Sequence, residues 1–202
     1  GFSMANRQRI LDDPRNSLYK QYLIFLRNVR PKFFIMENVK GMMNKIEEIK
    51  ENFKEYLGDE YQFDYALMKA QDYGVPQNRQ RVFFVGVKKD LGVKFVFPPK
   101  QKKDNLTLRH ILEIPKEVKN QVDWVLSPQA LEMVNYIPEG GSWKDVPYEK
   151  LAPRFQRIRD DMKKYRSPNF YRRFSRDEIN GTITASAQPE NCGIIHPVEN
   201  RR

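Results

Sequence analysis

The sequence predicts an α/β protein in which the later part of an open sheet is followed by a small irregular lobe. Three observations in its 202 residues support this fold class. Helical and strand-like apolar periods alternate as helix, strand, helix, strand, strand up to Phe97. A proline- and lysine-rich stretch, "PPKQKKDN", then interrupts the pattern. Beyond it the periodicity is weak and prolines recur, which is typical of a lobe built largely from loops.

Two helices are predicted in the first part of the chain. The first lies in "DDPRNSLYKQYLIFLRNVRPK", with Asn16 or Ser17 as its N-cap and Pro31 beyond its end. The second is predicted over Asn44 to Leu57 and is closed by Gly58. The apolar face of the first is predicted to consist of Leu18, Tyr22, Phe25, Leu26 and Val29, and that of the second of Ile46, Ile49, Phe53 and Leu57.

Three strands are predicted around these helices. A buried strand covers Phe33 to Met36, and the strands "YQFDYALMKA" and "RVFFVGVKK" flank the turn-like segment "QDYGVPQNRQ". In open α/β sheets, ligands bind just beyond the carboxyl ends of the strands. Because Glu37 directly follows the first apolar run, we expect it to lie at this functional edge.

The composition favours a polyanionic partner. Lys and Arg number 36 against 26 Asp and Glu, which gives a net charge of +10 and indicates nucleic acid first and an anionic membrane second. The sequence has no apolar run of transmembrane length and no signal-peptide core, so we expect a cytoplasmic protein. One Cys and two His cannot form a zinc site or a disulfide framework, and no metal is predicted.

The most basic stretch runs from Arg154 to Arg176 and contains nine Lys and Arg residues but only two aspartates. Aromatic side chains are interleaved with these cations, namely Phe155, Tyr165, Phe170, Tyr171 and Phe174. Cations that hold phosphates and rings that meet exposed bases are typical of a nucleic-acid surface. The alternative is a solvated basic helix around Arg154 to Tyr165.

Three segments, in this order, resemble the DNA cytosine-5 methyltransferases: "ENV" after the first strand, "DYGVPQNRQRVFFVGV", and "GTITASAQPENCGIIHP". The opening "GFS" resembles the end of that family's proline-cysteine loop. The resemblance covers nearly the whole chain and implies the latter part of a Rossmann-like methyltransferase sheet. It also implies a partial catalytic domain over 1–97, a target-recognition domain over 98–180, and a return segment over 181–202, in which "GTITAS" organises the lobe.

The resemblance implies two catalytic residues. Glu37 would hydrogen-bond to N3 and the N4 amino group of cytosine, and Arg81 would bind its O2 and stabilise charge there. Asn38, Gln77 and Arg79 would support them, Asn38 by steadying the cysteine loop and the other two by holding loops or a phosphate. The alternatives are a solvated or turn-capping Glu37, strand-edge charges at Arg79 and Arg81, and a turn cap at Asn38.

The resemblance also implies contacts with the cofactor and with DNA. Leu18 would pack near the adenine of S-adenosylmethionine, and Ser3 and Arg15 would touch DNA phosphates; the alternatives are a helix-core residue and polar loop residues. The other predicted DNA-binding residues are Arg154, Arg157, Lys163, Lys164, Arg166, Arg172 and Arg173. Cys192 and His196 are predicted to be structural.

The expected function is transfer of a methyl group from S-adenosylmethionine to C5 of a flipped cytosine in duplex DNA, in a restriction-modification system. The family's nucleophilic cysteine and glycine-rich cofactor loop do not occur in this sequence, so we expect the chain alone to be inactive. Two alternatives are a non-catalytic DNA-binding subunit that needs a complementary N-terminal chain, and a related RNA cytosine methyltransferase.

Overall fold

The structure, a computed structural model, describes residues 18–101, 103–112, 125–161, 170–183 and 193–201. The chain divides into two compact units. Unit 1 consists of residues 1–69 and 80–100, and unit 2 of residues 70–79 and 101–202. The loop 70–79 and the segment 181–202 therefore both belong to the same unit as the predicted recognition lobe. The predicted functional boundaries at residues 97 and 180 stay a prediction.

The described part of unit 1, from residue 18 onward, contains two helices and a three-stranded sheet in the strand order β1-β3-β2. Its elements in chain order are α1 (Leu18–Val29), β1 (Phe33–Val39), α2 (Ile46–Leu57), β2 (Tyr61–Lys69) and β3 (Gln80–Lys88). Strand β3 is antiparallel to both neighbours, so β1 and β2 run parallel on either side of it. The predicted order of elements is confirmed, and the bounds of β2 and β3 are within one residue of the prediction.

Strand β1 differs from the prediction of a strand buried throughout. Its side chains alternate, so Phe34 and Met36 are buried while Phe33 and Ile35 are 63% and 53% exposed. Among the described residues, helices cover one face of this edge strand, and the continuous apolar run "FFIM" does not reveal which of its residues face them. The strand also continues to Val39, which places Glu37 within the strand instead of beyond its end.

The predicted buried face of α1 is confirmed at Leu26 and in part at Tyr22, which packs against the core, and is wrong at Leu18, Phe25 and Val29. The helix buries Tyr19, Leu23 and Leu26, while most of the predicted face, including Leu18 and Phe25, is exposed. The hydroxyl of Tyr19 donates to Glu48 Oε1 of α2 at 2.9 Å, and Asn52 Nδ2 donates to that hydroxyl at 2.8 Å. Burial and the neighbouring Glu48 raise the pKa of Tyr19. The polar contact of Tyr19 with α2 thus favours burial of the face that carries Tyr19, Leu23 and Leu26 over the predicted face.

Helix α2 follows the prediction closely. It buries Ile49, Phe53 and Leu57, and Gly58 ends it with φ of 61° and an N–H donated to the Lys54 carbonyl at 2.9 Å. Phe53 stacks on Phe34 and Phe63, with ring centroids 5.5 and 4.3 Å apart. These rings hold α2 on the sheet through apolar burial.

Unit 2 contains short helices and strands around its own core. The helices are α3 (Leu108–Ile111), α4 (Pro128–Val134) and α5 (Pro153–Asp160), and the two short parallel strands are β4 (Arg172–Arg173) and β5 (Ile194–Ile195). Trp143, Tyr171 and Phe155 are at the centre of the core, and all are less than 10% exposed. The predicted irregular character of this lobe is confirmed in its described residues.

Candidate active site

Glu37 and Arg81 lie on the same face of the sheet. In the β1-β3 register Glu37 is opposite Phe83, and Arg81 is opposite Val39. The two are therefore diagonal neighbours on adjacent strands, a spacing that long side chains can bridge. Because Phe34 and Met36 point into the core beneath the helices, Glu37 projects from the opposite face.

An ion pair joins these two side chains. Arg81 Nε lies 2.9 Å from Glu37 Oε1, and the side chains are 20% and 43% exposed, respectively. Arg81 Nη1 also donates to the carbonyl of Gln80 at 2.8 Å, which fixes the orientation of the guanidinium group. The structure thus brings the two predicted catalytic residues into direct contact at a position that solvent reaches.

The predicted supporting residues lie in two places. The Asn38 side chain accepts a hydrogen bond from the N–H of Val39, the next residue of β1, at 2.8 Å. Gln77 and Arg79 belong to the loop of unit 2, where the N–H of Arg79 donates to the Gln77 carbonyl at 2.9 Å. Leu18, the predicted cofactor contact, is 62% exposed at the start of α1.

Two of the predicted DNA-binding residues are on the surface of α5. Arg154 and Arg157 are exposed and lie three residues apart, on neighbouring positions of one helix face. The other predicted residues Ser3, Arg15, Lys163, Lys164 and Arg166 lie outside the described part of the chain, as do Cys192 and the predicted N-cap.

Arg173 and Arg172 are held inside unit 2. Arg173 is 4% exposed, and its guanidinium donates to carbonyls of Val134, Ile137, His196 and Glu199 and to Asn200 Oδ1, at 2.6 to 3.1 Å. Burial lowers the pKa of Arg173. Arg172 Nη2 donates to Glu178 at 3.0 Å, and its Nη1 donates to Gly141 at 3.1 Å. The guanidinium groups of both predicted DNA-binding arginines are thus engaged by acceptors of unit 2 itself.

The expectation that aromatic residues of the basic stretch meet bases is wrong for its described members. Phe155, Phe170, Tyr171 and Phe174 are 1–9% exposed. Phe155 stacks on Phe170 with ring centroids 5.5 Å apart, and Tyr171 meets both rings edge-on. The alternation of cations with rings is that of an irregular core segment, in which the rings point inward.

Other charges in unit 2 are paired across its surface. Arg109 Nε donates to Asp177 at 2.8 Å, and Arg176 Nε donates to Glu139 at 3.1 Å. Each arginine holds the pKa of its carboxyl partner below its ordinary value. Within residues 18–101, 103–112, 125–161, 170–183 and 193–201, no group of three His, Cys, Asp or Glu side chains could hold a metal ion. No helix of the described chain is long and apolar enough to cross a membrane.

Sequence reasoning missed one set of contacts near the predicted supporting residues. The N–H of Asn78 donates to the Asn180 carbonyl at 2.7 Å, and the Thr182 hydroxyl donates to the Asn78 carbonyl at 2.9 Å. Two segments that are separately recognisable in the sequence, "QNRQR" and "GTITAS", thus meet. Their separation of 104 residues leaves no local signal of this contact.

Two curated type II methyltransferases are similar to nearly the whole of this chain. M.NgoFVII of Neisseria gonorrhoeae, a type II methyltransferase, is 31% identical over 97% of this chain and 53% of its own length. M.MthTI of Methanothermobacter thermautotrophicus, also a type II methyltransferase, is 33% identical over 99% of this chain and 54% of its own length. The chain thus spans about half the length of these relatives.

A solved structure shows the same fold. The crystal structure of a protein encoded within an Escherichia coli prophage matches with a TM-score of 0.60 at 20% identity, over 94% of this chain and 61% of the other. This similarity confirms the predicted α/β, Rossmann-like fold class. The model of the C-5 cytosine-specific DNA methylase family matches residues 1–202. The chain therefore belongs to the C-5 cytosine-specific DNA methylase family.

Proposed function

We propose that this chain is the base-reading part of a DNA cytosine-5 methyltransferase of a restriction-modification system. The observation that carries the proposal is the contact between Glu37 and Arg81 on the face of the sheet opposite Phe34 and Met36. N3 and O2 are neighbouring positions on one edge of the cytosine ring. An acid and a guanidinium that read these two atoms must therefore lie side by side, as Glu37 and Arg81 do.

A flipped cytosine would exchange the ion pair for contacts with the base. Glu37 would bind N3 and the N4 amino group, while Arg81, oriented by the Gln80 carbonyl, would bind O2. An ion pair as exposed as this one contributes at most about 1 kcal/mol, so its exchange adds little to the cost of flipping. Arg81 would then stabilise the charge that develops on the ring when a thiolate adds to C6.

S-adenosylmethionine, which the family generally uses, would supply the electrophilic methyl group. In this chain the exposed Leu18 side chain offers an apolar surface for the adenine ring. The remaining cofactor contacts and the nucleophilic thiol would come from the first half of a complete enzyme. The chain alone is therefore expected to transfer no methyl group.

Reconstitution with tritiated S-adenosylmethionine tests the proposal. The chain would be combined with a chain that carries the preceding half of a relative such as M.NgoFVII. We expect methylation of duplex DNA by the pair and none by either chain alone. In the pair, Glu37→Gln and Arg81→Ala should each lower kcat by about 100- to 1000-fold, because each removes a preorganised contact with the developing charge.

The matched control is Glu55→Gln, which changes an exposed carboxylate of α2 in the same unit. It should leave kcat unchanged. Unaltered rates for both Glu37→Gln and Arg81→Ala would contradict the proposed roles. Methylation of tRNA in preference to duplex DNA would favour the alternative of an RNA cytosine methyltransferase.

The proposed DNA surface includes the exposed face of α5. Arg154 and Arg157 lie on that face, and we extend the surface to Ser3, Arg15, Lys163, Lys164 and Arg166 by the family resemblance alone. Removing one phosphate contact should reduce the slope of log affinity against log salt concentration by about 1. Arg154→Ala and Arg157→Ala should each show this change in duplex binding, and unchanged slopes would place the surface elsewhere.

One observation favours the second candidate, a DNA-binding subunit that assembles with a complementary N-terminal chain. Strand β1 is an edge of the sheet, and Phe33 and Ile35 on it and Phe25 on α1 are more than half exposed. Apolar side chains beside a strand edge favour addition of another chain. Gel filtration of the chain with and without the first-half chain tests this assembly, and separate elution at micromolar concentration would contradict it.

A further inference from the structure

The loop 70–79, which carries two of the predicted supporting residues, is braced by a distant segment of the same unit. Gln77 forms a parallel bridge with Asn180, and the N–H of Asn78 donates to the Asn180 carbonyl at 2.7 Å. On the other side of the same residue, the Thr182 hydroxyl donates to the Asn78 carbonyl at 2.9 Å. The Asn78 residue, between Gln77 and Arg79, is therefore held by both its N–H and its carbonyl.

The loop also closes on itself next to this brace. The N–H of Ala70 donates to the Arg79 carbonyl at 2.9 Å, and the N–H of Gln77 donates to the Val75 carbonyl at 2.7 Å. Gly74, with φ of 78°, lies against the Lys103 side chain so closely that a Cβ would come within 2.6 Å of Lys103 Cδ. With the loop held at several points, the direction in which Arg79 leaves it depends on the peptide at Asn78.

Among these described contacts, the one from Thr182 depends on a side chain. The bridge at Asn180 uses backbone groups, whereas the bond to the Asn78 carbonyl uses the Thr182 hydroxyl. A substitution at Thr182 can therefore loosen the Asn78 peptide and leave the backbone pairing in place. Thr107 offers a comparison in the same unit, since its side chain makes no capping hydrogen bond at the start of α3.

We propose that Thr182 is a positioning residue that holds the Gln77–Arg79 segment so that Arg79 binds a DNA phosphate. The inference rests on the proposed function. A hydrogen bond between neutral groups makes a modest net contribution, so its loss should weaken duplex binding by about threefold to tenfold. The effect should act through Arg79 and not through the stability of the unit.

Fluorescence anisotropy of the chain with a labelled DNA duplex at low salt tests this inference. Thr182→Val and Thr182→Ala should each weaken binding by about threefold to tenfold, whereas Thr182→Ser, which keeps the hydroxyl, should stay within about twofold of the unaltered chain. Thr107→Val serves as the matched control for the change of side chain and should bind normally. Urea unfolding would verify that each variant is folded.

A double-mutant cycle with Arg79→Ala separates positioning from a general structural effect. If Thr182 acts through Arg79, adding Thr182→Ala to Arg79→Ala should cost no further affinity. Additive losses would overturn the inference, as would normal binding by Thr182→Ala. If the unaltered chain itself binds no duplex, the proposed DNA contact of unit 2 fails, a result distinct from failure of the Thr182 inference alone.

Discussion

Arg81 in unit 1 and Arg173 in unit 2 differ in the partners that they use. Arg81 pairs with the carboxylate of Glu37, which is 43% exposed, whereas Arg173 is itself 4% exposed and is surrounded by carbonyl oxygens. A carboxylate at the surface can be exchanged for a ligand at little cost. Buried carbonyls cannot, because each would be left without a donor. The acceptors of an arginine therefore indicate its role better than its place in a basic stretch.

The largest expected effect comes from removing the buried guanidinium group. Arg173→Ala should lower the free energy of unfolding of unit 2 by about 3 kcal/mol or more, because several buried acceptors lose their donors. Urea denaturation followed by tryptophan fluorescence would measure it, since Trp143 is in the core of that unit. Arg154→Ala, on the exposed face of α5, should change stability by less than about 0.5 kcal/mol. Equal losses of stability for the two variants would show that the buried Arg173 matters no more to the fold than the exposed Arg154.

A smaller loss is expected in the core of unit 1. A Cβ at Gly86 would lie 2.1 Å from Phe34 Cε1, and the Phe34 ring is confined by Phe53 and Tyr61. Gly86→Ala should therefore destabilise unit 1 by about 1–3 kcal/mol through overpacking. Phe34→Leu leaves space for the added methyl group. The variant that carries both Gly86→Ala and Phe34→Leu should therefore lose less free energy of unfolding than the sum of the two single variants, as measured by urea denaturation.

The pH dependence of unit 2 should depend on His196. Its Nδ1 accepts hydrogen bonds from the N–H groups of Val198 and Glu199, and burial lowers its pKa. In the unfolded chain this histidine has its ordinary pKa of about 6.5 and therefore binds a proton more readily than in the folded protein. The contribution of the neutral His196 to stability is therefore present above about pH 6.5 and is lost as the pH falls below that value toward the lowered pKa of the folded state.

Urea midpoints measured between neutral pH and about pH 5 would show this loss. His196→Ala should flatten the dependence in that window, and His110→Ala, an exposed position, should not. If the unaltered chain, His196→Ala and His110→Ala showed the same dependence of the urea midpoint on pH, the neutral ring of His196 would not stabilise unit 2 through its bonds to Val198 and Glu199.

The smallest expected effect on stability is at the candidate active site. Arg81→Ala should change the free energy of unfolding of unit 1 by less than about 1 kcal/mol, because the ion pair is partly exposed. The same substitution should cause a large loss of methyl transfer in the reconstituted pair. A loss of stability comparable with that of Arg173→Ala would indicate that Arg81 is structural, which chemical denaturation can decide.

Much of unit 1 was predictable because its elements have local signals. The period of α2, its closing Gly58 and the strands around "QDYGVPQNRQ" depend on neighbouring residues, and their bounds agree closely with the structure. The exposed side of β1 and the buried stripe of α1 were not predictable. For β1, an edge strand covered on one face can have the same apolar run as a strand covered on both faces. For α1, the contact of Tyr19 with Glu48 joins residues 29 positions apart, so no local pattern indicates it.

The family, the order of elements and the pair of residues proposed for base recognition could be predicted from the sequence, because they depend on short motifs and local periods. The acceptors that each cation contacts became known from the folded chain. Folding placed Arg81 beside Glu37, turned Arg173 toward interior carbonyls, and joined Thr182 to Asn78. The sequence does not distinguish an exposed arginine from a buried one. What an arginine can bind depends on the acceptors that folding places beside it, and these often come from distant parts of the chain.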